Sequence, residues 1–199
     1  SFLSSDMTNN YPIKHTNLDL ELRTIISQYR QSFSEKSYNE ENNENDLLMN
    51  LFSITPELKR ENRQYWGREL GMCWQLLINK LCQVRCRNYK PALKFEGDEP
   101  TDLFLGKDAI DTKYRIGSGD SGTLKKFKKY GKLLKDQGYK PVILILREDN
   151  LPAAITACKV GGWEIYSGDK CFVYLKKHTK FDFNSYLTGL KGKFSISRG

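Results

Sequence analysis

Two aspartates and a lysine between Pro100 and Arg115 are spaced so that they could act on a phosphodiester bond. If Gly106-Lys107 is the two-residue turn of a hairpin, Asp102 pairs directly with Asp111 on the neighbouring strand. Lys113 follows Asp111 by two residues and therefore shares its face of the strand. Facing carboxylates repel each other unless a cation lies between them, and Mg²⁺ prefers one or two carboxylates together with water and phosphate. The pattern predicts a magnesium site with an ammonium group beside it.

Such a site is suited to phosphodiester hydrolysis. A bound metal ion polarises the phosphate, helps to ionise a water molecule and stabilises the leaving oxygen. The lysine can orient the attacking water or stabilise the charge that develops in the transition state. Lys113 is therefore the candidate for that role, beside Asp102 and Asp111 as candidate metal ligands.

A third candidate acid, Glu69, lies on a predicted helix. It shares a helical stripe with four other residues, Asn62, Trp66, Cys73 and Leu76. A helix that packs on the core should be apolar there, and a buried acid is rare unless it binds something. The alternative is a glutamate at the edge of the stripe that pairs with Arg68 or another surface arginine. Glu96 and Asp98 are weaker candidates, because they are typical of solvated acids in a loop or at a strand edge.

The surrounding pattern predicts the elements that must position these residues. Thr55-Pro56 is a strong helix start, and apolar residues continue at helical spacing to about Arg85. Strands are predicted over 92–96, 102–105, 109–115 and 142–146, the last apolar on both faces as in a buried central strand. Further helices are predicted from Thr123 to about Gln137 and over 152–159. The fold class is therefore α/β, a central mixed sheet with the long helix on one side and the second helix on the other.

The chain is predicted to divide into residues 1–54 and 55–199. In the first region, Leu18 to Tyr29 carry apolar residues at helical spacing, and residues 46–52 form a short helix or turn. Residues 32–45 are rich in Ser, Asn and Glu and are expected to form an exposed polar loop. The second region contains the candidate site.

Charge is distributed unevenly along the 199 residues, whose net charge is +8. Residues 1–60 hold 6 Lys and Arg against 9 Asp and Glu, a balance of −3, whereas residues 61–199 hold 26 against 15, a balance of +11. A basic portion this strong is typical of a nucleic-acid-binding protein. The alternative is a soluble basic protein. The aromatic residues do not form the interleaved platform that stacks single strands, so duplex DNA is the favoured partner.

A glycine-rich turn, residues 117–122, precedes the second predicted helix. It is not a phosphate loop, because Thr123 stands where that motif needs lysine, and its spacing does not match a dinucleotide fingerprint. The favoured interpretation is a DNA-contacting loop whose helix N-terminus attracts anions, and the alternative is a flexible linker. The candidate contacts to bases or phosphates are Arg115, Ser118, Asp120, Ser121 and Thr123. The candidate phosphate contacts are Lys125, Lys126 and Lys129, which could instead form a solvated helix face.

Cysteine, histidine and hydropathy patterns exclude several other classes of protein. The five cysteines are scattered and odd in number, which predicts free thiols in a reducing cytoplasm rather than a disulfide framework. With only two histidines, the chain lacks the ligand cluster of a zinc site. No apolar run is long enough to cross a bilayer and no secretion signal is present, so a membrane partner is not expected.

The candidate site resembles that of a known family. Asp102, eight intervening residues and then Asp111-Thr112-Lys113 resemble the PD-(D/E)XK nuclease superfamily, especially its type II restriction endonucleases. Glu69 matches the extra upstream acid that many members carry, and residues 113–126 are similar to ApaLI-like restriction enzymes. The resemblance covers residues 69–146. It departs from the family pattern where Thr101, rather than proline, precedes the first acid, which leaves Asp98 as a substitute for Asp102.

The resemblance implies a restriction-endonuclease-like core and a Mg²⁺-dependent endonuclease that cuts double-stranded DNA at a specific sequence. Asp102 and Asp111 would bind the metal, helped by the Thr112 carbonyl and Glu69, while Lys113 positions the water. It also implies a homodimer in the cytoplasm of a prokaryote. The alternatives are a non-specific or structure-specific nuclease of the same superfamily, a non-catalytic DNA-binding module, and a protein-interaction domain with an incidental basic face.

Overall fold

The computed structural model describes residues 15–35 and 40–196 and divides the chain into two units, Ser1–Ser37 and Tyr38–Gly199. The described part of the first unit is one helix, α1 (His15–Glu35), where apolar spacing predicts a helix. This helix includes the first four residues of the predicted polar loop, residues 36–39 lie outside the described residues, and residues 40–46 are irregular. The unit boundary lies at 37/38 rather than 54/55, because Leu48, Met49 and Leu51 are buried in the core of the second unit.

The second unit is built on a five-stranded mixed sheet in the order β1-β2-β3-β4-β5. The strands are β1 (Tyr89–Pro91), β2 (Leu103–Leu105), β3 (Asp108–Lys113), β4 (Lys140–Ile145) and β5 (Glu164–Ser167). β1, β2 and β3 pair antiparallel, whereas β3, β4 and β5 pair parallel. The helices of this unit are α2 (Leu47–Phe52), α3 (Pro56–Glu61), α4 (Arg63–Arg85), α5 (Ser121–Asp136), α6 (Pro152–Val160), α7 (Asp169–Thr179) and α8 (Phe183–Gly189). The predicted α/β class with a central mixed sheet is confirmed.

The two sheet faces carry different helices. On one face, β-strand residues such as Ile110 and Leu144 share a core with Leu70 and Trp74 of α4 and with residues of α2, α7 and α8. The other face shares a separate core with α5 and α6, for example through Phe127. α4 and α5 therefore cover opposite faces, as the sequence predicts, and β4 is buried on both faces.

The β2–β3 hairpin has the predicted register. Leu103 pairs with Ile110, Phe104 with Ala109 and Leu105 with Asp108. The turn begins at Gly106, whose φ of 59° is in the left-handed region that favours glycine. The regular pairing ends at Leu103 and Ile110, so the predicted backbone pairing of Asp102 with Asp111 is not formed, and the backbone N–H of Asp102 instead donates to the carbonyl oxygen of Ile110 at 2.8 Å.

The strand predicted over 92–96 is wrong, since the strand that pairs with β2 is β1, at Tyr89–Pro91. Within 95–98 the chain reverses in a tight turn, where Phe95 and Asp98 exchange backbone hydrogen bonds of 2.7 and 2.9 Å. Glu96 and Gly97 have φ values of 52° and 86°. Backbone in the left-handed region ends an extended strand.

The long predicted helix is broken at Asn62, where the backbone is extended (φ −153°). The Asn62 side chain accepts a hydrogen bond from the backbone N–H of Tyr65 at 3.1 Å and so caps α4. Thr55 caps α3 as predicted, accepting from the N–H of Leu58 at 3.1 Å. Two capped helices therefore replace one.

Helices α5 and α6 approach each other backbone to backbone. A Cβ atom on Gly131 of α5 would overlap the carbonyl oxygen of Gly161, which follows α6 directly. Nearby, Trp163 Nε1 donates to the carbonyl oxygen of Phe127 at 2.8 Å. These contacts fix the position of α5 over the sheet.

Two further expectations concern cysteines and membrane insertion. The five cysteines are free thiols, as predicted, and four of them are buried. Within 15–35 and 40–196, no helix has both the length and the apolar character needed to cross a bilayer.

Candidate active-site groove

The carboxylate of Asp102 is held in place by Thr112. Its Oδ2 atom accepts two hydrogen bonds from Thr112, one from the backbone N–H at 2.8 Å and one from the hydroxyl at 2.7 Å. The carbonyl oxygen of Ile110 accepts from Asp102 and therefore points toward β2. Carbonyl groups two residues apart on a strand point to the same side, so the Thr112 carbonyl also points to that side of β3, beyond the last paired residues. Thr112 thus orients Asp102, one of the predicted metal ligands, and its own carbonyl group points to the same side of β3.

Asp111 lies against Asp102, as the hairpin predicts. The side chain of Asp111 is only 13% exposed, and burial is the main cause that raises the pKa of its carboxyl group to about 7. The neighbouring Asp102 raises this pKa further, and Lys113 opposes the rise. The two carboxyl groups are in contact, and the pKa of Asp111 is near neutral. Such a pair is stabilised by binding either a proton or a cation.

Lys113 completes the predicted triad. Its Nζ atom lies 3.3 Å from Asp111 Oδ2, and the Asp111 carboxylate is the main cause that raises the pKa of Lys113. Lys113 therefore stays an ammonium group. Asp111 and Lys113 alternate with Ile110 and Thr112 along β3, so they face α5 and α6 rather than α4.

These two side chains open into a cavity of about 500 Å³, which we call the groove. Its walls come from the segment before β2, the segment after β3, α5 and Trp163. The other polar and aromatic side chains that line it are Glu99, Arg115, Ser118, Thr123, Lys126, Phe127, Tyr130 and Trp163.

Three of the predicted DNA contacts instead form a helix cap. Asp120 accepts from the backbone N–H of Thr123 at 3.0 Å and from its hydroxyl at 3.1 Å, and also from the Ser118 hydroxyl at 3.0 Å. This arrangement explains the sequence Ser-Gly-Asp-Ser-Gly-Thr as the N-cap of α5. Ser118 and Thr123 still line the groove.

Arg115 lines the groove but is tied to the protein. Its Nε atom donates to the carbonyl oxygen of Asp149 at 2.8 Å and lies 3.2 Å from Asp149 Oδ2. Its side chain is mostly buried. Arg115 therefore anchors the segment that follows Lys113.

The predicted lysine contacts on α5 are exposed, as is Ser121. Of these lysines, Lys126 lines the groove, whereas Lys129 lies 3.2 Å from Asp98. Asp98 thus belongs to the tight turn beside α5. Within the described part of the chain, its side chain accepts no hydrogen bond from β3, unlike that of Asp102. Asp102, rather than its substitute Asp98, stands beside Asp111.

The expectation that Glu69 is a buried acid is wrong. Its side chain is 50% exposed and lies 3.3 Å from Arg68 Nε, which is the alternative pairing. α4 carries apolar residues on two adjacent stripes, and the buried stripe is Leu70, Trp74, Ile78 and Cys82. Trp74 fixes that choice by packing against Phe172 and Phe183. Because α4 covers the sheet face opposite Asp111, Glu69 does not join the acid pair.

The sequence analysis missed a buried ionic network centred on Arg147, which is 4% exposed. Its guanidinium donates to Asp46 at 2.9 Å and to Asp149 at 2.8 Å. The hydroxyl of Tyr114 also donates to Asp46, and Lys59 donates to Tyr114. Sequence spacing hides most of this network, because Asp46, Lys59 and Tyr114 lie far from Arg147 in the sequence. An arginine directly after the buried strand β4 was the available signal.

The acid pair resembles part of a metal site. Across 15–35 and 40–196, no three His, Cys, Asp or Glu side chains converge on one point, so the pair of Asp102 and Asp111 is the available donor set. Mg²⁺ is often held by one or two carboxylates, with water and substrate phosphate completing its shell. Two carboxylates in contact, one of them with its pKa raised, fit such an ion. The chain matches no protein-family model, no curated protein and no solved structure.

Proposed function

We propose that the protein is a Mg²⁺-dependent endonuclease that hydrolyses double-stranded DNA at a specific sequence, in the manner of PD-(D/E)XK type II restriction endonucleases. One observation carries the proposal. The β2–β3 hairpin sets the Asp102 carboxylate against Asp111, and Lys113 lies 3.3 Å from Asp111 on the same face of β3. This is the arrangement of residues that the resemblance requires.

Asp102, Asp111 and the Thr112 carbonyl would hold the ion. Mg²⁺, when bound, would polarise the scissile phosphate and make a coordinated water more acidic. The Lys113 ammonium, 41% exposed at the groove, would donate to a phosphate oxygen or orient the attacking water. A bound cation would stabilise the ionised form of Asp111 and so favour release of its proton, and Asp102 and Asp111 would then both hold the ion as carboxylates.

Basic groups beside the groove support DNA as the substrate. Lys126 lines the groove and Lys125 is exposed on the same helix, so both are placed to contact phosphates. The net balance of +11 over residues 61–199 supplies the long-range attraction. A homodimer acting on a palindromic site, in a prokaryotic cytoplasm, remains part of this proposal by resemblance.

The test is a digest of plasmid and phage DNA with Mg²⁺, with EDTA and with Lys113→Ala. We expect discrete bands that disappear with EDTA, and a rate at least about 100-fold lower for Lys113→Ala because a charge-stabilising donor is lost. Glu69→Gln, outside the acid pair, and Lys132→Ala, paired with Asp136 on the exposed side of α5, are the matched controls and should cut normally.

The other outcomes identify the alternatives. A Mg²⁺-dependent smear would replace the specific enzyme by a non-specific or structure-specific nuclease. Intact DNA together with a salt-dependent gel shift would replace it by a non-catalytic binding module. Intact DNA without a gel shift would overturn DNA as the partner.

A further inference from the structure

A second cavity, of about 450 Å³, lies away from the groove, and we call it the α7 pocket. It contains Asp108, the first residue of β3, whereas Lys113 is the last, about 16 Å further along the strand. Asp108 alternates with Asp111, so the pocket and the groove open on opposite faces of the sheet. The two cavities are therefore separate sites.

Basic side chains from two elements converge on the α7 pocket. Lys140 comes from the start of β4, and Lys170, Lys177 and His178 come from α7. Burial is the main cause that lowers the pKa of His178; the Asp108 carboxylate opposes this effect, and the charges of Lys177, Lys140 and Lys180 lower the pKa further. Gathering like charges costs free energy that a bound anion would recover.

The acids of the α7 pocket are already engaged. Asp108 accepts from the Tyr174 hydroxyl at 2.6 Å and lies 3.5 Å from Lys140. Glu164 accepts from the Tyr166 hydroxyl at 2.8 Å and lies 3.3 Å from Lys140.

The other basic side chains of the pocket are paired less fully. In the described part of the chain, Lys170 and Lys177 have no carboxylate within ion-pair distance. His178 Nε2 lies 4.0 Å from Asp108, which is beyond hydrogen-bonding distance. Three nitrogen donors are therefore available to an anion.

The same pocket offers flat and apolar surface. The rings of Tyr166 and Tyr174 lie 4.8 Å apart, and the His178 ring lies 4.2 Å from that of Tyr174. Val173, which lines the pocket, is 68% exposed. An aromatic and aliphatic wall beside lysines is suited to a ligand that combines a flat ring with a phosphate.

We propose that the α7 pocket binds a nucleotide, with its phosphate at Lys170, Lys177 and His178 and its base on Tyr166 and Val173. The cavity volume falls within the range typical of small-molecule sites, about 300–1,000 Å³. The nucleotide would be either free or the 5′-phosphorylated end of a nucleic-acid strand, because both present the same chemistry.

The experiment is isothermal titration calorimetry of the full chain in EDTA, at constant ionic strength. The probes are deoxyadenosine 5′-monophosphate, deoxyadenosine, inorganic phosphate and a 5′-phosphorylated hairpin oligonucleotide with its unphosphorylated counterpart. We expect the monophosphate to bind at least about tenfold more tightly than the nucleoside or phosphate alone. A phosphate-dependent gain for the hairpin alone, lost with the pocket variants, would assign the site to strand ends.

Variants of α7 locate the binding. Lys170→Gln and Lys177→Gln should each weaken it at least about fivefold, since each removes one charged donor. Lys176→Gln is the matched control, because Lys176 adjoins Lys177 but pairs with Asp182 outside the pocket. Lys113→Ala should bind normally, which separates this site from the groove. The proposal is overturned if the pocket variants bind every probe as the wild type does, if phosphate alone binds as tightly as the monophosphate, or if no probe binds.

Discussion

Thr112 donates two hydrogen bonds to a single oxygen of Asp102, at 2.8 Å from its backbone N–H and 2.7 Å from its hydroxyl. One carboxylate oxygen is thereby fixed, and the Asp102 carboxylate lies in contact with that of Asp111. Thr112, which was predicted to contribute only its carbonyl oxygen, thus also orients the carboxylate of Asp102.

Thr112→Val should destabilise the protein. It keeps the β-branched shape and the backbone donor but removes the buried hydroxyl that donates to a carboxylate. We expect a loss of about 1.5–3 kcal/mol in the free energy of unfolding, measured by urea denaturation. Thr112→Ser, which keeps the hydroxyl, should recover part of this loss, and equal stability of Thr112→Val and the wild type would contradict the interpretation.

Asp111 should make the metal-free protein less stable as pH rises. Its pKa is raised from 3.8 to about 7, so the folded state holds this proton more tightly than the unfolded state does. The stabilising contribution is complete below about pH 4 and is lost as pH rises to about 7, by at most about 1.4 kcal/mol per pH unit. Urea denaturation with EDTA should show this loss in the wild type but not in Asp111→Asn.

Under the proposed function, magnesium ions should reverse that loss, because they would bind the ionised carboxylate. At about pH 8, saturating Mg²⁺ should raise the free energy of unfolding of the wild type more than that of Asp111→Asn. Equal stabilisation of the two proteins would place the ion elsewhere.

Arg147→Met should be strongly destabilising. It leaves Asp46 and Asp149 without their buried partner, and breaking a buried ion pair in this way costs about 3–5 kcal/mol. Arg68→Met removes an arginine of the exposed pair with Glu69 and should change stability by at most about 1 kcal/mol. Thermal or urea unfolding compares the two, and a similar effect for both would contradict the central role of Arg147.

Gly131→Ala should destabilise the contact between α5 and α6, because its Cβ would overlap the Gly161 carbonyl oxygen. An overpacked contact costs about 1–3 kcal/mol. Gly67→Ala on α4 is the matched control. Nothing lies within 4 Å of its added Cβ, so it should stabilise the helix by about 0.5–1 kcal/mol. Opposite signs in unfolding experiments are the expected result.

Local chemistry made the hairpin and its acid pair predictable. A glycine in the left-handed region at position 106 fixes the turn, and the turn fixes every pairing up to Leu103. The start of α3 at Thr55-Pro56 depends on equally local signals.

Long-range packing made the rest unpredictable. Judged by the sequence, either apolar stripe of α4 could face the sheet. The contacts of Trp74 with α7 and α8 select the stripe that is buried. Glu69 lies on the other stripe and is half exposed to solvent. Asp46, which accepts a hydrogen bond from Arg147, lies about a hundred residues away in sequence, so no window of local pattern contains this pair.

The backbone contact between Gly131 and Gly161 also bears on how the groove would meet DNA. If α5 keeps this position when a ligand binds, the groove cannot close around that ligand. A duplex that enters would have to adapt its own shape, and bending is easiest at flexible pyrimidine–purine steps. Under the proposed function, part of the sequence preference would therefore come from the deformability of the DNA rather than from side chains that read its bases.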